Sequence, residues 1–409
     1  MTTRAAQGVR PAVVLLAVLA LGVNLRAALS AYPPLLARIR TDLGVSAAVA
    51  GVVQSGVVVC MGLGSFAAPA LARRHGRERA AAIAMVAIAV GNLTRGLPAV
   101  VTLVVGSVLI GLGIGVTGVA ITGVVRDHLP ERAGAATGLY TVSMMAGATV
   151  ASLTALPLAD GVGGWSGALA VWAVPAALAL VVWAPVTRRL GPDRAGAGAA
   201  IALPWRNRFA RLAVAFQATS SLQFYAWLTW LAPFYSDRGF TPGQAALVLS
   251  VWNVVQIPAA LGVPAIAERR RSWALWASFS AVCGGLGVGG LLVAPVLPVL
   301  GPWPWVVLTS VAVGAGFPLG LAVVAWRTPD GATSASVSAL SLGSAYLVAG
   351  VAPLLMGVLI DAAGFSVALW VVVAAVLAQG AVIVRLGPRR VVFSPEGREP
   401  RPAHGSSEI

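Results

Sequence analysis

One arginine lies alone inside an apolar stretch near the start of the chain. Arg26 has small or apolar residues on both sides and sits about midway along a predicted helix. If that helix spans a membrane, the charge costs about 2.5–3.5 kcal/mol unless it faces the bundle interior or a wet cavity. A guanidinium offers paired N–H donors to an anion or a nitro group. The alternative is a structural arginine that binds backbone carbonyls or extends to the interface.

Further polar and aromatic side chains in predicted helices could contact the same solute. Asn24 lies two residues before Arg26, and the amides of Asn253 and Gln256 are one turn apart on a single helix face. Such side chains either bind a solute or pack and hydrogen-bond between helices, and the sequence leaves both roles open. The candidates besides Arg26 are Asn24, Gln54, Tyr140, Gln223, Phe224, Tyr225, Trp227, Asn253 and Gln256.

Several kinds of chemistry have no residues to support them. Every acidic residue falls in a predicted loop, tail or helix end, so no buried carboxylate chain is available to relay protons or bind an organic cation. The chain has no lysine and therefore no nucleotide-binding P-loop. Cys60 and Cys283 are far apart in apolar stretches. We expect no enzyme activity, no cofactor and no metal site.

The composition indicates that lipid surrounds the elements that position these residues. The 409 residues are 58% hydrophobic and only 10% charged, with a net charge of +15 and a mean hydropathy of +0.88. A soluble core could not bury that much apolar surface. The arginines form short clusters between apolar segments, which is typical of cytoplasmic loops and not of a nucleic-acid surface. The expected partners are the bilayer and a small solute, with the protein a monomer.

The apolar segments are long enough for twelve transmembrane helices. The predicted spans are 12–36, 46–70, 80–97, 100–125, 134–158, 165–186, 210–235, 243–266, 273–296, 303–326, 333–358 and 364–386. Placing both termini in the cytoplasm leaves few arginines outside, namely Arg38, Arg40, Arg95 and Arg238. The asymmetry predicts a multi-pass protein of a bacterial inner (plasma) membrane.

An internal repeat divides the chain into two similar parts. Asp42–Ser46 matches Asp237–Thr241, and further along the chain Arg126 matches Arg327 and Asp160 matches Asp361. Parallel repeats of this kind place a solute site near the membrane midplane, between the two parts. The predicted units are an N-terminal six-helix half (1–186), a cytoplasmic linker (187–209), a C-terminal six-helix half (210–386) and a disordered cytoplasmic tail (387–409).

Two six-helix halves with a basic loop after the second helix resemble the major facilitator superfamily. Leu71–Arg79 resembles its helix 2–3 motif, with arginine at the usual acidic position. Within it, Asn24-Leu25-Arg26 is similar to the first-helix motif of the cyanate and 2-nitroimidazole porters, with Ala27 replacing proline. Two later segments resemble the same family, namely Val125–Thr141 and Ser221–Leu228.

The resemblance implies an all-α membrane fold of twelve helices in two pseudo-symmetric halves. It implies a secondary or facilitative transporter that moves a small polar or anionic solute, such as cyanate or a nitroimidazole, by alternating access. Loop residues would form salt bridges that close the cytoplasmic side, or else only set the orientation. These are Arg73, Arg74, Arg126, Asp127 and Arg132. The rival hypotheses are an exporter of hydrophobic drugs and a membrane sensor that does not transport.

Overall fold

The computed structural model describes residues 11–129, 133–189, 204–329 and 331–387, and these residues are almost wholly helical. The N-terminal bundle contains eight helices within the described residues. They are α1 (Pro11–Ser30), α2 (Leu36–Leu43), α3 (Ala47–His75), α4 (Arg77–Arg95), α5 (Val100–His128), α6 (Ala133–Gly161), α7 (Gly164–Val171) and α8 (Ala173–Arg189). The predicted linker and tail lie mostly outside the described residues.

The C-terminal bundle continues with seven helices within the described part of the chain. They are α9 (Arg208–Ser236), α10 (Pro242–Arg269), α11 (Trp273–Val293), α12 (Trp303–Arg327), α13 (Gly331–Ala349), α14 (Val351–Ala363) and α15 (Phe365–Leu386). The fold is therefore all-α, as the sequence predicts. Each predicted span coincides with one helix or with a broken pair, because α7 joins α8 and α13 joins α14 end to end.

The first predicted span is shorter than expected. Helix α1 ends at Ser30, and a 3₁₀ turn over Pro33–Leu35 leads into the short α2. Proline removes a backbone donor and clashes with the preceding turn, so consecutive prolines end the helix before the predicted residue 36. Helix α2 then closes at Gly44, which adopts a left-handed conformation with φ of 61°.

Ten segments of the described chain are long and apolar enough to cross a membrane. Helices α4 and α9 are not among them, although each aligns with a predicted span. Helix α4 carries charges at both ends, and α9 is rich in serine, threonine, glutamine and tyrosine. Helix α9 is buried along most of its length, and α4 buries one face that carries Glu78, Asn92 and Arg95, so neighbouring helices can satisfy these polar groups.

Close backbone contacts hold α5 between α3 and α4. Gly111 and Gly115 face the backbone of α3, and Gly113 faces α4, where an added Cβ would lie 2.5 Å from the Ala84 carbonyl oxygen. The Gly-x-Gly-x-Gly run of α5 is therefore a packing surface for two neighbouring helices. Small residues allow helices to approach closely in lipid, where dispersion contacts replace the hydrophobic effect.

The largest contacts between the two bundles involve α3 and α6 of the N-terminal bundle. Helix α3 packs against α13 and α14, and α6 packs against α10. Helices α6 and α10 are joined by the hydroxyls of Ser152 and Ser250, 2.7 Å apart.

The two ends of the molecule differ in charge. We name the end that carries α2 the α2 end. At the opposite end α3, α10 and α12 finish in arginines or histidine, and we name it the arginine-rich end.

Candidate functional site

Arg26 projects from α1 onto the C-terminal bundle. Its guanidinium carbon lies 4.3 Å from the centre of the Phe224 ring of α9. The Nη1 nitrogen is buried and has no hydrogen-bond partner. In the described part of the chain no carboxylate pairs with this charge. A buried donor without an acceptor is costly, so the arrangement favours a bound anion or water at this position.

An aromatic cluster surrounds Phe224 and Arg26. The centre of the Phe224 ring lies 5.0 Å from that of Tyr225 and 5.4 Å from that of Trp252 on α10. Tyr225 is in edge contact with Tyr346 of α13, with 6.2 Å between ring centres. These spacings suit offset and edge-to-face aromatic pairs. Both bundles therefore contribute to one site around a single positive charge.

The tyrosines of this cluster lie within electrostatic range of Arg26. The charge of Arg26 interacts electrostatically with the hydroxyls of Tyr140 on α6, Tyr225 and Tyr346. The indole nitrogen of Trp252 is also buried without a hydrogen-bond partner. Together with Arg26 Nη1 it gives the site two unpaired donors. We name Arg26, Tyr140, Phe224, Tyr225, Trp252 and Tyr346 the Arg26 cluster.

Sequence reasoning identified four of these six residues and missed two. Trp252 directly precedes the candidate Asn253, and Tyr346 is an isolated phenol in an apolar helix. Neither signal distinguishes a site residue from an ordinary core aromatic. Their place in the cluster follows from helix packing between the bundles, which the sequence does not encode locally.

Several predicted amides serve helix contacts. The Asn24 amide nitrogen donates to the carbonyls of Ala20, at 2.8 Å, and Pro175 on α8, at 3.2 Å. The Gln223 amide donates to Gln379 Oε1 on α15 at 2.8 Å. These donors join helices, which is the alternative role that the sequence left open.

The remaining amide candidates differ in how well they are satisfied. Gln256 donates to the Trp252 carbonyl at 3.1 Å, and Asn253 donates to the Leu249 carbonyl at 3.0 Å while its oxygen has no partner. Gln54 is wholly buried, and neither its oxygen nor its nitrogen has a partner. Trp227 is buried in the main apolar core.

Only part of the predicted cytoplasmic gate lies within the described residues. Arg73 and Arg74 are exposed at the end of α3. Arg126 and Asp127 belong to the last turn of α5, but their side chains are outside the described structure, as is all of Arg132.

A partly buried pair joins α4 and α5 at this same end. His128 Nε2 lies 3.1 Å from Glu78 Oε1, and the Trp183 indole donates to the Glu78 carbonyl at 2.9 Å.

The described residues contain no group of three or more His, Cys, Asp or Glu side chains placed to hold a metal ion.

Arg95 lies near the outer end of the predicted span 80–97, and its side chain at the end of α4 is fully buried. It donates to Ser107 Oγ from Nε at 3.2 Å and from Nη2 at 2.7 Å, and to the Ala28 carbonyl of α1 from Nη1 at 2.9 Å. The last carbonyls of a helix carry partial negative charge, so the end of α1 serves as its counter-charge.

The two bundles are bonded to each other at the α2 end. Asp361, at the end of α14, accepts the backbone N–H groups of Ala47, at 2.9 Å, and Ala48, at 2.7 Å, in the first turn of α3. Arg40 lies 3.7 Å from the same carboxylate. Ser55 Oγ accepts the Leu354 N–H at 2.9 Å. A carboxylate at a helix N-terminus is favourable, so these bonds hold the α2 end closed.

Known proteins resemble the chain over most of its length. The family model of the Major Facilitator Superfamily matches residues 14–309. The 2-nitroimidazole transporter of Escherichia coli (strain K12) is 28% identical and covers 86% of this chain and 89% of its own. The cyanate transport protein CynX of the same organism is 28% identical, covering 86% and 90%. The transporter YycB of Bacillus subtilis (strain 168) is 27% identical, covering 91% and 93%.

The solved structures show the same fold at lower identity. A bacterial homologue of the human lysosomal transporter Spinster, in an inward-facing and occupied conformation, superposes with a TM-score of 0.76. It is 17% identical and covers 95% of this chain and 100% of its own. The arrangement of α1 to α15 is thus one that solved transporters share.

Proposed function

Because the chain belongs to the Major Facilitator Superfamily and is a multi-pass membrane protein that transports a solute, we propose that its solute is small and polar or anionic. Cyanate and nitroimidazoles, which the names of two relatives specify, are the reference compounds. The observation that carries the proposal is the buried and unpaired Nη1 of Arg26 at the junction of the two bundles. An oxygen or nitrogen acceptor on the solute would satisfy it.

In this proposal the Arg26 cluster binds the solute between walls from both bundles. Arg26 and the Trp252 indole donate to acceptor atoms, and the rings of Phe224, Tyr225 and Tyr346 exclude water around a flat solute. Excluding water strengthens the electrostatic attraction to the guanidinium. A solute held by residues of both bundles changes its access when the bundles rock against each other.

We propose that both termini and the arginine-rich end face the cytoplasm in a bacterial plasma membrane. The support is the excess of arginine at that end, which follows the positive-inside rule. The α2 end would then face outward, and the bonds of Asp361 across the two bundles would favour a state without external access. We further propose a monomer with no catalytic activity, built from halves 1–186 and 210–386.

The gate of the arginine-rich end stays a prediction from the resemblance. We propose that its residues are Arg73, Arg74, Arg126, Asp127 and Arg132, and that they pair when that end closes. An inside-negative potential opposes anion entry by about 2.3 kcal/mol per charge for each 100 mV. Net uptake of an anion would thus need an exchanged anion or a co-transported cation.

A thermal-shift screen of the purified protein tests the solute class. A ligand that binds only the native state raises the melting temperature by mass action. We expect cyanate or a nitroimidazole to raise it in the wild type and to fail in Arg26→Ala. Arg238→Ala is the matched control, because that arginine also stacks on a phenylalanine, 3.5 Å from the Phe234 ring, but away from the cluster. If only large apolar drugs stabilised the protein, and did so equally in Arg26→Ala, the result would contradict this proposal and favour an exporter of hydrophobic drugs.

A further inference from the structure

An open, shallow cavity lined by two basic residues lies at the surface of the arginine-rich end, separate from the Arg26 cluster. It has a volume of about 490 Å³ and is lined by His75, Arg79, Ala82, Ile83 and Thr187. These residues come from the end of α3, the first turns of α4 and the end of α8. We name it the α3–α4–α8 cavity.

The polar side of this cavity suits an anion. Arg79 carries a permanent positive charge and is exposed beside the exposed imidazole of His75. Thr187, at the end of α8, also lines the cavity and adds a hydroxyl. None of the five lining residues is acidic, so nothing on the walls competes for the guanidinium of Arg79. An arginine with a free fork of donors is well matched to phosphate oxygens.

The apolar side of the cavity continues along the outside of the protein. Ile83 lines the cavity and begins a stripe of exposed apolar residues on α4 that also contains Val86, Val90 and Leu93. From Ile83 to Leu93 the stripe is about 15 Å long at 1.5 Å per residue. That length is about half of the 30 Å hydrocarbon core, which is the depth of one leaflet.

The neighbouring helix offers a second apolar surface. Helix α8 packs against α4, as the bond from the Trp183 indole to the Glu78 carbonyl shows. It exposes Val174, Leu178 and Val181. A ligand in the cavity would therefore have a charged head at the membrane surface and two hydrocarbon-facing helices below it.

We propose that the α3–α4–α8 cavity binds the phosphate head of an anionic phospholipid, whose acyl chains lie along the α4 stripe. A free phosphate ion would use Arg79, His75 and Thr187 but not the stripe. The combination of a basic head site with one leaflet depth of apolar surface selects the lipid. With the arginine-rich end in the cytoplasm, the lipid belongs to the inner leaflet, where anionic lipids attract juxtamembrane arginines.

Native mass spectrometry of the full-length protein tests this site. The protein is purified in detergent and titrated with phosphatidylglycerol or phosphatidylcholine of equal chain length, and bound lipid is counted. We expect preferential retention of phosphatidylglycerol and about fivefold weaker retention in Arg79→Gln, since one arginine near a lipid surface contributes about 1 kcal/mol. Arg270→Gln is the matched control, an exposed arginine at the same end of the C-terminal bundle.

Three results would overturn the proposal. Equal retention of both lipids would remove the charge selectivity that Arg79 is proposed to give. An equal loss in Arg79→Gln and Arg270→Gln would mean that only overall surface charge matters. If millimolar inorganic phosphate displaced phosphatidylglycerol completely, the cavity would be a site for a free oxyanion. Unchanged melting temperatures in both variants would exclude misfolding as the cause of any loss.

Discussion

Two arginines of the N-terminal bundle show how partners distinguish a structural charge from a binding charge. Arg95 is fully buried, but its donors reach Ser107 and the Ala28 carbonyl. Arg26 leaves Nη1 buried and unpaired over an aromatic ring. Neither has a carboxylate partner in the described chain. A satisfied arginine fixes helices in place, whereas an unsatisfied one retains the capacity to bind a solute.

Removing the partners of Arg95 should destabilise the N-terminal bundle through a shared network. We expect Arg95→Gln to lower the melting temperature strongly and Ser107→Ala to lower it less. The reason is that Arg95→Gln removes the bond to the Ala28 carbonyl as well as the bonds to Ser107. The double variant should be less destabilised than the sum, with a coupling of about 0.5–3 kcal/mol. Melting of the four proteins in one detergent measures this cycle, and strict additivity would refute the network.

At this scale the sequence predicts the type of chemistry better than its location. Arg26 can be predicted because a charge inside an apolar helix is rare and costly. The burial of Arg95 was not predicted, because at the end of a span an exposed arginine and a buried one look alike in sequence. The amides Asn24 and Gln223 were ambiguous, and only the positions of Pro175 and Gln379 assign them to helix contacts.

Among the helices, α5 shows most clearly how the sequence determines packing. Its glycines alternate between two neighbours, with Gly113 toward α4 and Gly115 toward α3. The spacing of two residues turns by about 200°, so alternate glycines face opposite sides. Such a run in an apolar helix indicates close packing, but it does not tell which helices approach.

A pair of glycine variants on α5 tests this packing. In Gly115→Ala the new methyl would clash with the Met61 carbonyl, whereas Gly118 has open space around its Cα. We expect Gly115→Ala to lose about 1–3 kcal/mol of stability through overpacking, measured as a lower melting temperature. Gly118→Ala should be neutral or slightly stabilising, because alanine favours helix. Equal behaviour of the two variants would contradict the close approach of α3 and α5.

Breaks in the helices were harder to predict than the helices themselves. The prolines after α1 are visible in sequence, yet the span was predicted to continue through them. The break between α13 and α14 occurs at Gly350, where an added Cβ would meet the Val59 side chain of α3. Pro353 in the first turn of α14 has no N–H to donate to the preceding turn, so Gly350 and Pro353 are a local signal for this break that the predicted span 333–358 did not use.

Across the whole molecule, the internal repeat predicts equivalent residues but not equivalent partners. Asp160 and Asp361 occupy matching positions at the ends of α6 and α14. Asp160 pairs with Arg38 inside the N-terminal bundle at 2.7 Å. Asp361 instead reaches across to α3 and holds the bundles together. The repeat has thus diverged at this pair, and only Asp361 acts between the bundles.

This difference gives a prediction about the closed α2 end. Asp361→Asn removes the negative charge at the start of α3, which should shift the equilibrium toward an open α2 end about fivefold, for about 1 kcal/mol. Spin labels would be attached at the exposed positions Asp42 and Asp237 in a variant that lacks both native cysteines. In Asp361→Asn a larger share of molecules should then show a long distance between the two labels. Asp160→Asn is the control and should leave that distribution unchanged. An unchanged distribution in Asp361→Asn would show that Asp361 does not hold this end.

Transport by reconstituted protein tests the central claim most directly. Proteoliposomes loaded with unlabelled cyanate or nitroimidazole should accumulate the labelled compound by exchange with the wild-type protein. Arg26→Ala should reduce this exchange about tenfold or more, the effect expected for losing a charge-assisted hydrogen bond, and Arg238→Ala should not. Exchange that persists in Arg26→Ala at the wild-type rate would contradict a solute site built on Arg26.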